Sequence, residues 1–388
     1  MKYRILSYLS LLILSIIGVS FSHNPFGRMP FYIILYATLF SVIYAFAVWE
    51  GFSFTENKSG KIYTRGMTFH YRFSLSNDSP FYFTHIRAVF CSGGENIRRD
   101  FSVMPHRTEC FETEFNFRHI GKYRIGLVSA KIYGLLDLFG IPYKNLCDSV
   151  LVEPRIERMD RLLNICADDD NSRQAFLSFF NNSLTGNYDG VRDYIPGDSL
   201  KNIHWKLSAH TGKYMSRIHE RTDSFTIGLY VDLFHPVFDG EAALCIFDSL
   251  VESVFSVAGY SVEHSCVSEL IYERNGCIEH FDIANAAALK KAARDFASYS
   301  FEATCRIEDL LGSIQGKVPV SQNIVVFTPN LSYDIAYSAA QMKGSGKNPM
   351  LFYIVEPEQN LTDELKMLDF LENRGVPVQL VRVPQPGL

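Results

Sequence analysis

Residues 186–217 gather Arg192, Asp193, Tyr194, Gly197, Asp198, His204, Trp205, Lys206, His210, Gly212 and Lys213 in one short stretch. These residue types allow three kinds of chemistry. Arg192, His204, Lys206 and Lys213 could converge on an anion or a peptide. His204 could act as a general base, which needs a side chain titrating near neutral pH within reach of a proton. Alternatively, Arg192 could pair with Asp193 or Asp198 and hold an irregular segment in shape with no reaction at all. No nucleophile stands out for His204 to activate, so the catalytic reading has no partner residue.

Sharper motifs fail on spacing. His210-Thr211-Gly212-Lys213 resembles the end of a phosphate-binding loop, but Leu207 stands where the earlier glycine belongs and Tyr214 follows the lysine. The chain has no G-x-S-x-G, H-E-x-x-H or G-x-G-x-x-G string. Asp168-Asp169-Asp170-Asn171 lacks an EF-hand glycine at its sixth position, where Arg173 sits. Eight cysteines are scattered without a C-x-x-C pair and read as free thiols of a reducing compartment.

The elements that must position these residues follow from turn and cap chemistry. Tyr194-Ile195-Pro196-Gly197-Asp198 predicts a turn. Asp198 then falls at the N-cap of a helix over 199–208, with Trp205 packing that helix onto its neighbours. Gly212 is placed to stop the helix, and 214–219 predicts a strand leading onward. On this reading the segment is a structured junction between two domains.

The rest of the chain bounds what such a segment can serve. A formal charge of -5 leaves no basic stripe for nucleic acid, and Asp189, Asp193, Asp198 and Glu220 offset the local cations. Residues 5–21 and 31–49 are charge-free apolar runs joined by a turn-rich link. Each covers about 25–29 Å as a helix, enough to cross a hydrocarbon core. Lys2 and Arg4 precede the first run, Lys58, Lys61 and Arg65 follow the second, and only Arg28 lies between. That bias predicts a two-pass hairpin in the plasma membrane with the soluble domains in the cytoplasm. A cleaved signal peptide ending near Ser20-Phe21-Ser22 is the alternative for the first run.

Beyond the hairpin, 63–75, 82–91, 97–104, 107–117, 123–132 and 149–153 read as strands, with a helical or turn element over 134–140. Turn clusters separate them, which predicts a small β-sandwich of immunoglobulin-like kind over 52–155. From Phe225 the period changes. Strands at 226–231, 323–327, 350–355 and 376–381 alternate with helical stretches, including 241–258 and 284–298. A hairpin of 261–272 with 277–282 interrupts them. This predicts a mainly parallel sheet covered on both faces, with one antiparallel edge, as in von Willebrand factor A-like domains.

Taken in order, Gly186-Asn187-Tyr188-Asp189-Gly190-Val191-Arg192-Asp193-Tyr194, Pro196-Gly197-Asp198, Ile203-His204-Trp205-Lys206 and Ser208-Ala209-His210-Thr211-Gly212-Lys213 closely resemble the signature of the domain-of-unknown-function 58 (DUF58) family. Leu135-Leu136-Asp137-Leu138-Phe139-Gly140 loosely resembles the family's D-P-F-G-L-F stretch. His210 stands where the family usually has arginine. The resemblance implies an α+β multidomain chain: transmembrane helices over 1–50, a β-sandwich over 52–155, the signature over 156–222 and a von Willebrand factor A-like, Rossmann-type half over 223–388. It also implies a MoxR-type AAA+ ATPase as partner. Metal-dependent A-like domains carry D-x-S-x-S after the first strand. Here Asp232 is present, but Phe234 and Pro236 replace both serines. The second motif offers only Thr328-Pro329-Asn330. The combined expectation is a non-enzymatic, membrane-anchored interaction or scaffold protein without cofactor or bound metal. An enzyme or anion-binding protein using Arg192, His204 and Lys206, and metal-dependent adhesion, remain the alternatives.

Overall fold

The computed structural model of the 388-residue chain describes residues 2–21, 25–57, 62–92, 95–133, 140–144, 147–158, 174, 176, 178–179, 188–195, 203–219, 226–264, 266–314, 321–356 and 364–383. It divides into two units, Met1–Val152 and Glu153–Leu388.

The N-terminal unit begins with helices α1 (Lys2–Phe21) and α2 (Pro25–Glu50). Pro25 suits a first helical turn, where its missing N–H costs nothing. The Tyr8 hydroxyl bonds to that of Thr38, and the two residues stand equally far from the connection, so the helices fold back on one another. Arg28–Glu50 is long and apolar enough to cross a membrane, with mean hydropathy 2.1. The apolar part of α1, Leu6–Phe21, is shorter. The other helix that passes by length and composition, Glu241–Glu263, is 78% buried and serves as a core helix.

Among the described residues nine strands follow: β1 (Phe52–Asn57), β2 (Ile62–Thr64), β3 (Thr68–Asn77), β4 (Phe83–Ser92), β5 (Glu95–Val103), β6 (Arg107–Asn116), β7 (Gly121–Tyr133), β8 (Gly140–Lys144) and β9 (Asp148–Glu153). They form two sheets, β1-β3-β6 and β2-β9-β7-β4-β5, with β8 beside β7; β1–β3, β3–β6, β4–β5, β4–β7, β7–β8 and β7–β9 pair antiparallel. Along β3, Phe69, Tyr71, Phe73 and Leu75 are buried and their neighbours are more exposed, the two-residue period of a sheet with one covered face. Across the core they meet Phe83, Ile86, Phe90 and Leu127 of the second sheet, with the Phe73 and Phe90 rings 4.8 Å apart. Strands β1 and β8 were not expected. Most of the element expected at 134–140 lies outside the described residues.

The second unit holds a short antiparallel ribbon, β10 (Tyr188–Asp193) with β11 (Met215–His219), and helix α3 (Trp205–Thr211). A six-stranded sheet is built from β12 (Thr226–Val231), β13 (Val267–Arg274), β14 (Cys277–Ile283), β15 (Asn323–Thr328), β16 (Asn348–Val355) and β17 (Val378–Arg382). Their order is β14-β13-β12-β15-β16-β17. All neighbours are parallel except the β13–β14 hairpin at the edge. That hairpin turns through Asn275 and Gly276, both at positive φ, as a tight two-residue turn requires.

Helices α4 (Glu241–Glu263) and α5 (Ala286–Phe296) bury Leu250, Val254, Phe255 and Phe296. Helices α6 (Ile307–Ile314), α7 (Tyr333–Gly344) and α8 (Glu364–Asn373) supply a separate core with Tyr230, Ile324, Val326 and Leu351. Because Tyr230 alternates with Leu229 and Val231 along β12, the strand is covered on both faces, as its unbroken apolar run implies. The architecture is thus mixed α/β. The strand expected from residue 261 starts later, because α4 runs on to Glu263 and the Ser261 hydroxyl donates back to the Val257 carbonyl.

Candidate functional site

In the second unit the chain leaves β12 toward β13 on one side and returns to β15 on the other. Such a reversal opens a crevice beyond the carboxyl ends of the two central strands. Asp232 follows β12 directly and Thr328 ends β15, so both stand at that crevice. Asp232 continues the ladder through its N–H to the Phe327 carbonyl at 2.9 Å.

The Asp232 carboxylate is buried and receives three donors. The Thr328 hydroxyl donates to Oδ2 at 2.6 Å, the Phe234 N–H to Oδ1 at 3.0 Å, and the Asn330 amide to Oδ2 at 3.4 Å. Asn330 is held by its own N–H to Thr328 Oγ1 at 2.9 Å and by Nδ2 to the Phe234 carbonyl at 3.3 Å. Burial pushes the Asp232 carboxyl up to about 6, while these hydrogen bonds pull it down. At neutral pH it is therefore mostly ionised.

Around this carboxylate lies a cavity of about 400 Å³, whose lining includes Phe234, His235, Arg306, Glu308, Asn330 and Ser332. The loop that follows α5 borders the edge, anchored where the Ala303 N–H donates to the Leu233 carbonyl at 3.1 Å. It is held from below by Glu273, which accepts from the Gly276, Thr304 and Cys305 N–H groups. Burial acts to raise the Glu273 carboxyl, but these backbone donors hold it below the usual carboxylate range. Arg306 places its guanidinium 5.6 Å from the centre of the Phe234 ring. Ser332 donates to Glu308 at 2.5 Å and accepts from the Ile335 N–H at 3.1 Å, so its hydroxyl caps α7.

Of this set, the sequence had pointed to Asp232 alone as a site residue. Arg306, Glu308 and Ser332 were missed, because a helix start and a cap carry no signal of shared position.

A hard cation would need carboxylate and hydroxyl oxygens free to face it. Here Phe234 and Pro236 occupy the hydroxyl positions, and both Asp232 oxygens accept protein hydrogen bonds. These residues do not fit a bound Mg²⁺. Among the described residues no three His, Cys, Asp or Glu side chains cluster as a metal site would require.

The segment singled out by its charge is built differently. Tyr194 and Tyr214 pair through backbone, N–H to carbonyl at 2.8 Å, where β10 and β11 meet. Strand β11 therefore folds back on β10 instead of simply leading onward. Helix α3 spans Trp205–Thr211; Ile203 and His204, expected inside a helix over 199–208, precede it, and 199–202 lie outside the described residues. Its N-cap is His204, whose Nδ1 accepts the Leu207 N–H at 3.1 Å. With Nδ1 accepting that N–H, the neutral ring carries its hydrogen on Nε2, which can donate to an anion but cannot take a proton from a substrate. Gly212 does end the helix, at φ 70, with its N–H on the Ser208 carbonyl.

Trp205 does not pack the helix onto a neighbour. It is 62% exposed, and its ring stands edge to face with that of Tyr214, 6.3 Å between centroids. Lys206 and Lys213 are exposed. Arg192 lies on β10, but its side chain, together with Gly197, Asp198 and the acidic run 168–171, falls outside the described residues.

No family model matches the chain, and no curated protein matches it. Among solved structures it is similar to the sporulation control protein Spo0M from Bacillus subtilis, at 13% identity and TM-score 0.17, over 37% of this chain and 56% of that one. It is also similar to the exo-β-D-glucosaminidase CsxA, at 9% identity and TM-score 0.20, over 86% of this chain and 32% of that one. Cwp6 from Clostridium difficile gives 12% identity and TM-score 0.17, over 86% and 46%. The chain thus spans between about a third and just over half the length of these structures. Likenesses this weak carry no functional argument.

Proposed function

We propose that this chain is a membrane-anchored, non-enzymatic interaction protein that offers the carboxyl edge of its mixed sheet to a protein partner. The observation that carries the reading is the Asp232 edge. An open cavity surrounds a carboxylate already occupied by Thr328, Phe234 and Asn330, so the edge presents recognition surface without a free metal ligand. Carboxyl edges at such strand reversals are where ligands of open α/β sheets dock.

The finer architecture belongs to the same reading. The strand order and antiparallel edge support a von Willebrand factor A-like half, and the two packed sheets support an immunoglobulin-like sandwich. The apolar Arg28–Glu50 helix and its bond to α1 support a two-pass anchor in the plasma membrane. The flanking lysines and arginines favour a cytoplasmic location for the soluble parts. The signature resemblance makes a MoxR-type AAA+ ATPase the partner. The rival reading, an enzyme or anion site using Arg192, His204 and Lys206, loses its general base, since His204 commits Nδ1 to its helix cap.

Crosslinking the tagged full-length chain in detergent tests the reading. An AAA+ ATPase should be recovered with the wild type, about tenfold less with Arg306→Glu, and undiminished with Lys206→Glu, a tenfold loss being about 1.4 kcal/mol of binding. Recovery of no such ATPase, or equal recovery with both variants, would sink it.

A further inference from the structure

We propose that the N-terminal unit rests directly on the lipid bilayer, with the rim of its β layers at Tyr82 and Met104 lying in the headgroup region. This builds on the membrane-anchor reading above. The starting point is a shortfall in helix length. From Arg28 to Tyr44, the first residue of α2 in the core of the β layers, the helix covers only about 24 Å at 1.5 Å per residue. A hydrocarbon core is about 30 Å thick.

From Ser41 onward α2 has two different faces. Ser41, Tyr44, Ala45 and Val48 are buried at helical spacing, with Tyr44 and Val48 in the core of the β layers. Val42, Ile43, Phe46 and Trp49 are exposed on the same turns. To span the core, α2 must bring these turns to the membrane, and the strands packed against their inner face come with them. Trp49, at the end of the run, suits the interface where amphipathic rings collect.

The junction cannot hinge the strands away. The Tyr44 hydroxyl donates to the Tyr82 carbonyl, and its ring lies 5.4 Å from that of Phe81. The Asp78 N–H donates to the Gly51 carbonyl at 2.9 Å. A side chain at Gly51 would come within 2.7 Å of Ser79, so the backbones meet closely there. Asn77, fully buried, donates to the Phe81, Val103 and Met104 carbonyls at 2.8, 3.2 and 3.1 Å and accepts from the Ser79 N–H at 3.0 Å. One amide thus fixes the β3–β4 and β5–β6 connections beside the end of α2. On those connections Tyr82 is 42% exposed and Met104 52% exposed, an aromatic and an apolar side chain directed away from the core.

Single-tryptophan depth measurements on the full chain test this. The chain has two tryptophans, and Trp205→Phe leaves Trp49 as the reporter. Three further variants place one tryptophan elsewhere in a Trp49→Phe, Trp205→Phe background: Tyr82→Trp, Met104→Trp and Met67→Trp. Met67 precedes β3, at the end of that strand away from Asn77, and is 62% exposed.

In phosphatidylcholine–phosphatidylglycerol vesicles, shallow bromines on the acyl chains should reduce the Trp49, Tyr82→Trp and Met104→Trp emission about twofold, as for side chains in the interface. They should quench more than deep bromines, and Met67→Trp should be unaffected. If Tyr82→Trp and Met104→Trp quench no more than Met67→Trp, the bilayer thins around α2 and the strands stand clear, which overturns the proposal. If the wild-type chain fails to float with vesicles at all, the anchor reading fails first and this one with it.

Discussion

Asp232 and His204 both sit at the end of a secondary-structure element, and both accept a backbone N–H two or three residues ahead. Their surroundings differ. Asp232 lies among buried strands with no other charge adjacent in sequence, and its carboxylate takes donors from three separate residues. His204 heads a seven-residue helix amid exposed lysines and a tryptophan open to solvent. Charge density along the chain marks the second region. Convergence of distant residues, Asp232 with Thr328 and Asn330 about a hundred positions on, marks the first. A cluster in sequence can simply be displayed, whereas a built site joins residues that sequence keeps apart.

The sharpest way to break this contrast is to remove Asp232. Asp232→Ala takes the carboxylate acceptor from the Phe234 N–H and leaves the Thr328 hydroxyl and the Asn330 amide with only their contacts to the Asn330 and Phe234 carbonyls, in a buried place. It should destabilise the second unit by about 3 kcal/mol. Lys206→Ala and Lys213→Ala, both at exposed positions, should stay within about 0.5 kcal/mol. Protection of β12 and β15 amides from hydrogen exchange in the full chain reads the difference. Comparable losses for all three variants would erase the distinction between the regions.

A somewhat smaller effect should follow pH. Because burial raises Asp232 to about 6 in the folded chain, the folded state binds more protons than the unfolded one from about pH 6 down to the ordinary aspartate range near 4. Stability from this group therefore rises as pH falls through that window and is absent above it. The full change is about 2–3 kcal/mol for a shift of roughly two units. Glu273, held below its usual range, works in the opposite sense, so the comparison must be with Asp232→Asn. The wild-type urea midpoint should gain on that variant between pH 7 and pH 5. A constant gap would mean that Asp232 titrates normally.

How far each region was legible follows from the same physics. The central strands read clearly because a strand buried on both faces has to be continuously apolar. Residues 226–231 were matched to the residue, and the Asn275-Gly276 turn announced the hairpin. Helix α4 was cut short, because its late serines resemble a strand until the Ser261 bond to the Val257 carbonyl is known. The α3 cap was missed because histidine is an uncommon cap, and Asp198 is a better residue at the wrong place. Trp205 is of a type that usually packs, yet it is exposed, because residue type does not fix burial. The α2 junction was invisible: nothing in an apolar run tells which face meets lipid and which meets protein.

The least costly change, and the most specific, is at His204. Nδ1 satisfies one of the orphan N–H groups of the first turn of α3, and an N-cap lost to alanine costs about 1 kcal/mol. His204→Ala should therefore loosen the Trp205–Thr211 amides by that amount in hydrogen exchange and leave β12 and β15 unchanged. His204→Asn should restore most of the protection, because its short amide oxygen caps as well or better. A base or anion ligand would behave otherwise. Asparagine could replace its hydrogen bond to the helix but not its proton, so any phosphate binding by the full chain would fall with both substitutions. Equal protection in His204→Ala and His204→Asn, accompanied by loss of phosphate binding in both, would return this segment to the status of a binding site and reverse the contrast with Asp232.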